Sequence, residues 1–219
     1  MIQSLCLKNV NPKAFVDAPP LGASSEVWNC IQEFERGRSY LVEAGSGRGK
    51  SSLCSFLYGL RADFVGKIEF CYDDGVVLDN SVCDYVAVRQ NSFSIMFQEY
   101  RLFPELSPVD NVMLKNRLTG YTTEEAVRSM LSRLGLEDRL DTPCGKISFG
   151  QQQRVAFVRA LCQPADFIFL DEPVSHLDAD NAKVMAEMLR ERQIKDALGI
   201  IVTSIGRRLP YEYDKVLKL

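Results

Sequence analysis

A glycine-rich segment between a predicted strand and a predicted helix constrains this chain more than any other feature. It follows the predicted strand at residues 40–43 and consists of Ala44-Gly45-Ser46-Gly47-Arg48-Gly49-Lys50-Ser51, with Ser52 next in the helix. Glycines let backbone N–H groups turn toward a ligand, and the first turn of a helix supplies further N–H donors. Lys50 adds a mobile positive charge, and the hydroxyl of Ser51 can ligate Mg²⁺. The segment therefore predicts a loop that binds the phosphates of a nucleotide.

The first position of this loop departs from the usual pattern. Phosphate loops of the form G-x-x-x-x-G-K-[ST] begin with glycine, whereas this chain has Ala44, the smallest substitute. Two other interpretations are a glycine-rich turn without function and a dinucleotide-binding fingerprint, because Gly45, Gly47 and Gly49 alternate. The Lys-Ser pair at the start of a predicted helix favours a phosphate loop over both.

An acidic pair follows a second apolar strand. Residues 167–170 are Phe-Ile-Phe-Leu, and Asp171 and Glu172 come directly after them. Asp171 is placed to hold the shell of a Mg²⁺ ion, and Glu172 to act as general base on an attacking water. Alone, the pair also fits an ordinary strand-to-turn transition. With a phosphate loop in the same chain it indicates nucleotide hydrolysis.

Strand and helix patterns alternate along the chain. Apolar β-branched or aromatic runs predict strands near residues 40–42, 68–70, 76–78, 95–97, 167–170, 200–202 and 216–217. Helices are predicted after Lys50, from Thr122-Thr123-Glu124-Glu125, after Gly150 and after Asp178. The alternation predicts an α/β fold with parallel strands and crossover helices. Residues 92–161 are mainly helical and are expected to form a separate lobe, and residues 16–26 are expected to form a loop.

Composition and charge exclude several classes of protein. The 219 residues are 46% hydrophobic with a net charge of −3, which excludes a mainly disordered chain and argues against a nucleic-acid binder held by bulk charge. The apolar runs are far shorter than the roughly 20 residues of a transmembrane helix, and no secretory signal is recognisable. The seven cysteines lack metal-pair spacing, so we expect reduced thiols.

Three further motifs occur in a specific order. They are Phe97-Gln98-Glu99-Tyr100-Arg101-Leu102-Phe103-Pro104, Ile147-Ser148-Phe149-Gly150-Gln151-Gln152-Gln153-Arg154 and Ser175-His176-Leu177-Asp178. These resemble the glutamine loop, the signature and the aspartate loop of ATP-binding-cassette (ABC) ATPases. The resemblance implies an α/β P-loop NTPase core with a mixed sheet, an N-terminal antiparallel β subdomain and a small helical subdomain. It also implies one nucleotide-binding domain over residues 1–219, with a core lobe of 1–91 and 162–219 and a helical lobe of about 92–161.

The resemblance also implies roles for individual residues. In the family, two such domains pack head to tail, and each ATP lies between one phosphate loop and the signature of the other subunit. Ser148, Gly150 and Gln151 would therefore contact an ATP held by a second subunit, and Asp178 would lie at the same interface. Gln98 would bind Mg²⁺ and sense the γ-phosphate, linking the core to the helical lobe.

The resemblance suggests two further contact regions. Phe15 is the first candidate to stack on adenine, with Trp28 and Tyr40 as alternatives that fit core packing better. The surface at residues 100–103 would receive the short cytoplasmic helices of a membrane partner, although Tyr100, Leu102 and Phe103 fit core packing equally well.

The chain departs from the family pattern at two of its motifs. Phe149 replaces the first glycine of the signature, and Ser204 occupies the position of a histidine that contacts the γ-phosphate. A serine is uncharged and cannot carry a proton as imidazole does, so we expect slow hydrolysis. His176 lies in the aspartate loop, where the family normally has a small residue without chemistry. Arg207-Arg208 is expected to be a solvated charge pair.

These observations favour the ATP-hydrolysing subunit of an ABC transporter, with ATP and Mg²⁺ as cofactors. It would need a separate transmembrane permease and a second nucleotide-binding subunit, identical or different, and would lie on the cytoplasmic face of the membrane. The helical lobe looks most similar to the branch that serves lipoprotein release, cell division and macrolide efflux. One alternative is a catalytically weak ATP-binding regulatory subunit. The other is a nucleic-acid or ribosome-associated ABC ATPase, which the single cassette and mildly acidic charge disfavour.

Overall fold

The computed structural model describes residues 1–17 and 25–219, which form nine strands and seven α-helices. The strands are β1 (Ile2–Pro12), β2 (Ile31–Glu35), β3 (Ser39–Glu43), β4 (Phe64–Tyr72), β5 (Val77–Asp79), β6 (Phe93–Met96), β7 (Phe167–Asp171), β8 (Gly199–Ser204) and β9 (Lys215–Lys218). The helices are α1 (Lys13–Asp17), α2 (Lys50–Leu57), α3 (Tyr85–Asn91), α4 (Pro108–Thr119), α5 (Glu124–Arg133), α6 (Phe149–Leu161) and α7 (Ala179–Asp196).

The central sheet consists of five parallel strands in the order β6-β7-β8-β3-β9. β7 and β8 are buried along their whole length, which is typical of parallel strands covered on both faces. Because the strands are parallel, their carboxyl ends meet at one edge of the sheet. The glycine-rich loop after β3, Gln98 after β6, Glu172 after β7 and Ser204 at the end of β8 therefore lie at the edge where ligands bind in folds of this class.

A second sheet is antiparallel, with the strand order β2-β1-β4-β5. Aromatic side chains join it to the central sheet. The rings of Phe70 on β4 and Phe93 on β6 lie 5.9 Å apart, and Phe93 lies 6.3 Å from Phe167 on β7. One buried cluster thus fixes the two sheets against each other.

Helices α4, α5 and α6 pack on one another around a second buried cluster that includes Val112, Val127 and Val155. Each helix begins at a residue whose side chain accepts a backbone N–H of the first turn, namely Ser107, Thr123 and Ser148. In the portion of the chain that the structure describes, no helix is long and apolar enough to cross a membrane.

The predicted α/β class is confirmed, with some differences in detail. The resemblance implied a mixed central sheet, whereas every pairing in this sheet is parallel and the antiparallel pairings lie in the second sheet. Within residues 92–161, assigned to the helical lobe, β6 is a strand of the central sheet. The division into lobes stays a prediction. Val16 of the predicted loop belongs to α1, and residues 18–24 of that loop lie outside the described residues.

Candidate functional site

The glycine-rich loop turns from β3 directly into α2. Gly49 precedes the helix with φ 91°, and a Cβ there would lie 3.0 Å from Cε2 of Phe15 and 3.2 Å from Cζ2 of Trp28. Only glycine fits such a left-handed and crowded position. Gly45 and Gly47 have open space where a side chain would be, so the loop leaves room for a ligand above the start of α2.

Lys50 is buried at the first position of α2. Its ammonium donates hydrogen bonds of 2.9 Å to the backbone oxygens of Ala44 and Gly45 and lies 3.8 Å from Oε1 of Glu172. Burial lowers the pKa of Lys50, while Glu172 opposes that shift. The lysine is therefore held as a donor at the mouth of the loop, where a phosphate oxygen could replace a carbonyl.

Ala44, the departure from the glycine pattern, causes no conflict with the fold. Its N–H donates to the backbone oxygen of Ser204 at 3.2 Å, and its side chain packs against the buried cluster between the sheets. Ala44 therefore ties the phosphate loop to the end of β8.

The acidic pair after β7 is held by Thr203 on the neighbouring strand. The Thr203 hydroxyl donates to Oδ1 of Asp171 at 2.5 Å and accepts from the N–H of Glu172 at 3.2 Å. Asp171 is buried, and Glu172 adopts a left-handed backbone with φ 53°. Sequence reasoning missed Thr203, although a polar residue within the apolar run of β8 was a usable signal.

The Glu172 carboxylate is the point at which three motifs meet. Oε1 faces Lys50, and Oε2 accepts a 3.3 Å hydrogen bond from Nε2 of Gln98. Burial raises the pKa of Glu172, Lys50 lowers it and the Asp171 carboxylate raises it further. A carboxylate with a raised pKa beside a cation is the arrangement expected of a general base.

The residues at this edge fit ATP and Mg²⁺ chemically. The free space over Gly45 and Gly47 and the Lys50 ammonium form a cradle for phosphate. Asp171 and the hydroxyl of Ser51 supply the oxygen ligands that Mg²⁺ prefers. The Gln98 amide oxygen adds another, because its hydrogen bond to Glu172 uses the amide nitrogen. Of the other predicted residues, Ser52 accepts a hydrogen bond from Arg61 at 3.1 Å.

The signature segment forms the start of α6. Ser148 caps the helix and exchanges hydrogen bonds with Gln151 in a capping box, with distances of 2.9 and 3.3 Å. A Cβ on Gly150 would lie 2.8 Å from the backbone oxygen of His176, so this glycine is required. Phe149 is 69% exposed, and its ring lies 6.1 Å from that of His176. The first signature glycine can therefore be replaced without a clash inside this chain.

Gln153 is a site residue that sequence reasoning did not single out. It is fully buried on α6, and its amide nitrogen donates to the backbone oxygen of Glu172 at 3.3 Å and to Oγ of Ser175 at 3.2 Å. Its amide oxygen accepts from the N–H of His176 at 3.1 Å. Gln153 thus fastens the signature helix to the acidic pair and the aspartate loop.

The aspartate loop is held at both ends. Nδ1 of His176 lies 2.9 Å from the hydroxyls of both Tyr100 and Ser175. Asp178 caps α7, where its carboxylate accepts from the N–H and the side chain of Asn181 at 2.8 Å. The backbone N–H of Asn181 lowers the pKa of Asp178, which keeps this carboxylate charged.

Ser204 uses its hydroxyl within the chain. Oγ donates to the backbone oxygen of Arg207 at 2.8 Å and accepts from the N–H of Gly206 at 3.0 Å. Ser204 and Glu172 nevertheless line the same cleft, which has a volume of ≈ 180 Å³. To bind a phosphate directly, the Ser204 hydroxyl must therefore give up its hydrogen bond to Arg207 and donate to a phosphate oxygen instead.

Arg207 and Arg208 are both exposed, as expected of a solvated charge pair, and each also has a partner within the chain. Arg207 donates to the backbone oxygen of Leu177, and Arg208 forms two hydrogen bonds to the Glu43 carboxylate, at 2.6 and 2.7 Å. These contacts attach the segment after β8 to the ends of β3 and of the aspartate loop.

The aromatic candidates for adenine differ in their surroundings. Tyr40 is buried and its hydroxyl accepts from the N–H of Glu35, which is a core role. Trp28 is buried and donates to the backbone oxygen of Arg48 at 3.2 Å. Phe15 is half-buried beside Gly49. Stacking of Phe15 on adenine stays a prediction, and Trp28 lies beside the same glycine of the phosphate loop.

The segment after Gln98 is divided between core and surface. Tyr100 and Arg101 have left-handed backbones with φ of 56° and 49°. Tyr100 is buried, whereas Phe103 is 55% exposed. Core packing therefore holds for Tyr100, and a surface position holds for Phe103.

Comparison with known proteins places this geometry in a family. The family described as "ABC transporter" matches residues 31–175. The "Putative hemin import ATP-binding protein HrtA" of Staphylococcus aureus strain MRSA252 is 34% identical over 193 residues, which cover 85% of each chain. The protein of the same name from Staphylococcus epidermidis is 32% identical over 192 residues, covering 85% of this chain and 84% of that protein.

Solved structures agree on the fold. The dimeric ATP-binding cassette MJ0796, in a post-hydrolysis state bound to ADP and Pi, superposes with a TM-score of 0.72. The match covers 91% of this chain and 87% of that chain at 23% sequence identity, and so bears on the fold alone. With the family match over residues 31–175 and relatives above 30% identity along most of the sequence, this chain belongs to the ABC transporter family as an ATP-binding subunit.

Proposed function

We propose that this chain hydrolyses ATP to drive a separate transmembrane permease from the cytoplasmic face of the membrane. The observation that carries the proposal is the convergence of Lys50, Gln98 and Glu172, which come from three loops at one edge of the parallel sheet. These are the positions that the family uses for phosphate binding, Mg²⁺ binding and activation of water.

The chemistry assigned to each side chain follows from its surroundings. Lys50 and the N–H groups at the start of α2 bind the phosphates, and Ser51, Asp171 and Gln98 would hold Mg²⁺, which supplies charge neutralisation. Glu172 takes the proton of the attacking water. A second copy supplies Ser148 and Gly150 to the γ-phosphate, so that ATP holds the two copies together.

A second candidate is a regulatory subunit that binds ATP and turns it over weakly. The observation that favours it is Ser204, which replaces an imidazole and already uses its hydroxyl in two hydrogen bonds inside the chain. The branch of lipoprotein-release, cell-division and macrolide-efflux transporters stays a prediction.

Phosphate release by the purified chain with Mg-ATP separates the two candidates. The Glu172→Gln variant is the control, because it keeps the fold and removes the base. Turnover that disappears in Glu172→Gln supports hydrolysis by this site. ATP binding without turnover in the wild type would instead favour the regulatory subunit. ATP binding by Lys50→Ala as tight as that of the wild type would contradict the assignment of the phosphate loop.

A further inference from the structure

Two departures from the family pattern lie against each other in this chain. The ring of Phe149, in the signature, lies 6.1 Å from the imidazole of His176, in the aspartate loop, with 32° between the two planes. His176 is exposed, yet its Nδ1 lies 2.9 Å from the hydroxyl of Tyr100, a buried residue of the segment after Gln98. One imidazole therefore contacts the signature, the aspartate loop and the segment after Gln98.

The backbone of His176 is also held in place. Its N–H donates to Oε1 of Gln153 at 3.1 Å, and its carbonyl oxygen lies 2.8 Å from where a Cβ on Gly150 would be. The hydroxyl of Ser175 lies 2.9 Å from Nδ1 of the same ring. Because His176 is fixed at its backbone and at its ring, it can in turn hold a neighbouring segment.

The segment after Gln98 needs such support. Tyr100 and Arg101 both have left-handed backbones, which persist only where neighbouring contacts hold them. Arg159 donates to the backbone oxygens of both residues. Burial raises the pKa of Tyr100, so its hydroxyl keeps its proton at neutral pH. The hydrogen bond between this hydroxyl and His176 ties the strained turn to the aspartate loop.

This hydrogen bond joins the same two segments that carry the site. Gln98 lies two residues before Tyr100, and Glu172 lies four residues before His176. The hydrogen bond from Nε2 of Gln98 to Oε2 of Glu172 is 3.3 Å long, near the upper limit for such a bond. A small shift of either segment would therefore break the contact between Gln98 and Glu172.

We propose that His176 is a positioning residue for hydrolysis: through Tyr100 it fixes the segment that carries Gln98, and so keeps the Gln98 amide within reach of Glu172 and of Mg²⁺. The proposal rests on the proposed function. His176 neither touches the nucleotide in this role nor replaces the imidazole that is absent at Ser204. Phe149 packs against the imidazole from the signature, so the two departures from the family pattern act together.

Substitutions that remove one hydrogen bond at a time test the proposal in assays of phosphate release. Tyr100→Phe removes the hydroxyl and keeps the ring, His176→Ala removes the imidazole, and His176→Asn keeps an amide near the position of Nδ1. Tyr213→Phe is the matched control, because the buried hydroxyl of Tyr213 has no hydrogen-bond partner among residues 1–17 and 25–219.

We expect Tyr100→Phe and His176→Ala each to lower kcat about tenfold while the KM for ATP changes less than about twofold. His176→Asn should regain most of the lost rate, and Tyr213→Phe should match the wild type. The double variant Tyr100→Phe/His176→Ala should be no slower than His176→Ala, because both substitutions remove the same hydrogen bond.

Mn²⁺ used in place of Mg²⁺ gives a readout that does not depend on turnover. Electron paramagnetic resonance measures the affinity of Mn²⁺ for the ATP-bound protein, to which Gln98 would contribute an oxygen ligand. We expect Tyr100→Phe to weaken this affinity about tenfold and to leave ATP affinity without metal unchanged. Absence of turnover in the wild type would refute hydrolysis as the proposed function, and the Mn²⁺ affinities would still decide the role of His176.

Three outcomes would overturn the proposal. In the first, Tyr100→Phe equals Tyr213→Phe in kcat and in Mn²⁺ affinity. In the second, His176→Asn is as slow as His176→Ala, which would show that the hydrogen bond is not what matters. In the third, the losses of the two single substitutions multiply in the double variant, which would show that Tyr100 and His176 act independently.

Discussion

Glu172 has a backbone conformation that glutamate rarely adopts. Its φ of 53° lies in the left-handed region, which costs about 1–3 kcal/mol and persists only where neighbouring contacts hold it. Thr203 provides that contact by accepting the Glu172 N–H while it donates to Asp171. The carboxylate consequently reaches Lys50 and Gln98 instead of continuing along the strand direction.

The pKa of Glu172 predicts the acid limb of the activity profile. A general base must be ionised, so kcat/KM should fall as the pH drops through the Glu172 pKa. Because burial raises this pKa above its ordinary value of 4.5, the midpoint should lie above 4.5. The measurement is kcat/KM between pH 4.5 and 8. The affinity of Glu172→Gln for ATP is measured over the same pH range. Because this variant lacks the carboxylate, its profile shows how far titration of the nucleotide itself changes binding. A midpoint at or below 4.5 would contradict the role of Glu172.

At the scale of the elements, the hydrogen bonds of Gln153 hold α6 against the segments of Glu172 and His176, and their contribution can be measured. Gln153→Met leaves the backbone oxygen of Glu172 and the N–H of His176 without their partner. We expect the free energy of unfolding to fall by about 1–3 kcal/mol and kcat to fall more than ATP affinity. Urea unfolding and steady-state kinetics measure both quantities. The matched control is Gln3→Met, on an exposed position of β1, and equal effects of the two substitutions would refute this positioning role.

Two substitutions separate the capping role of Ser148 from the contact with nucleotide that we propose for it. Ser148→Ala removes the cap and should lower the free energy of unfolding by about 1 kcal/mol. Ser148→Asp keeps a good capping residue but places a negative charge where we propose that the signature meets the γ-phosphate of an ATP held by a second copy. We therefore expect Ser148→Asp to be as stable as the wild type in urea unfolding and inactive in phosphate release. Full activity of Ser148→Asp would show that the signature does not contact nucleotide.

The sequence predicted the elements whose patterns are local and regular. The five strands of the parallel sheet are apolar runs, and α2, α5, α6 and α7 follow recognisable starts. β1 was missed because its pairing with β4 shifts register between Ile2 and Ser4 and again between Lys8 and Asn11, which breaks the alternation of a strand. α4 was missed because its apolar pattern is weak, although Ser107-Pro108 is a usual helix start.

The candidate site was predictable only in part. The order of motifs predicted which residues belong to it, and the structure brings Lys50, Gln98 and Glu172 together. The support from Thr203 and Gln153 depends on side chains meeting across separate strands and helices. The spacing of residues does not show such contacts, and the polar Thr203 within the apolar run of β8 was the one usable signal for them.

At the scale of the whole molecule, the proposed function assigns different partners to two surfaces. One is the edge of the parallel sheet with the phosphate loop and the signature, which we propose to face a second copy. The other is the surface at residues 100–103, which we propose to face the permease. The segment after Gln98 connects the two surfaces, because Gln98 contacts Glu172 while Phe103 is exposed. ATP binding and permease docking are therefore expected to influence each other through this segment.

The central claim is that two copies of this chain enclose ATP and that Glu172 then hydrolyses it. Sedimentation velocity of the Glu172→Gln variant with Mg-ATP tests this claim most directly, with Mg-ADP as the matched control. The account predicts that the 24.7 kDa chain doubles in mass with Mg-ATP and stays monomeric with Mg-ADP. A monomer at Mg-ATP concentrations that saturate its binding site would contradict the account.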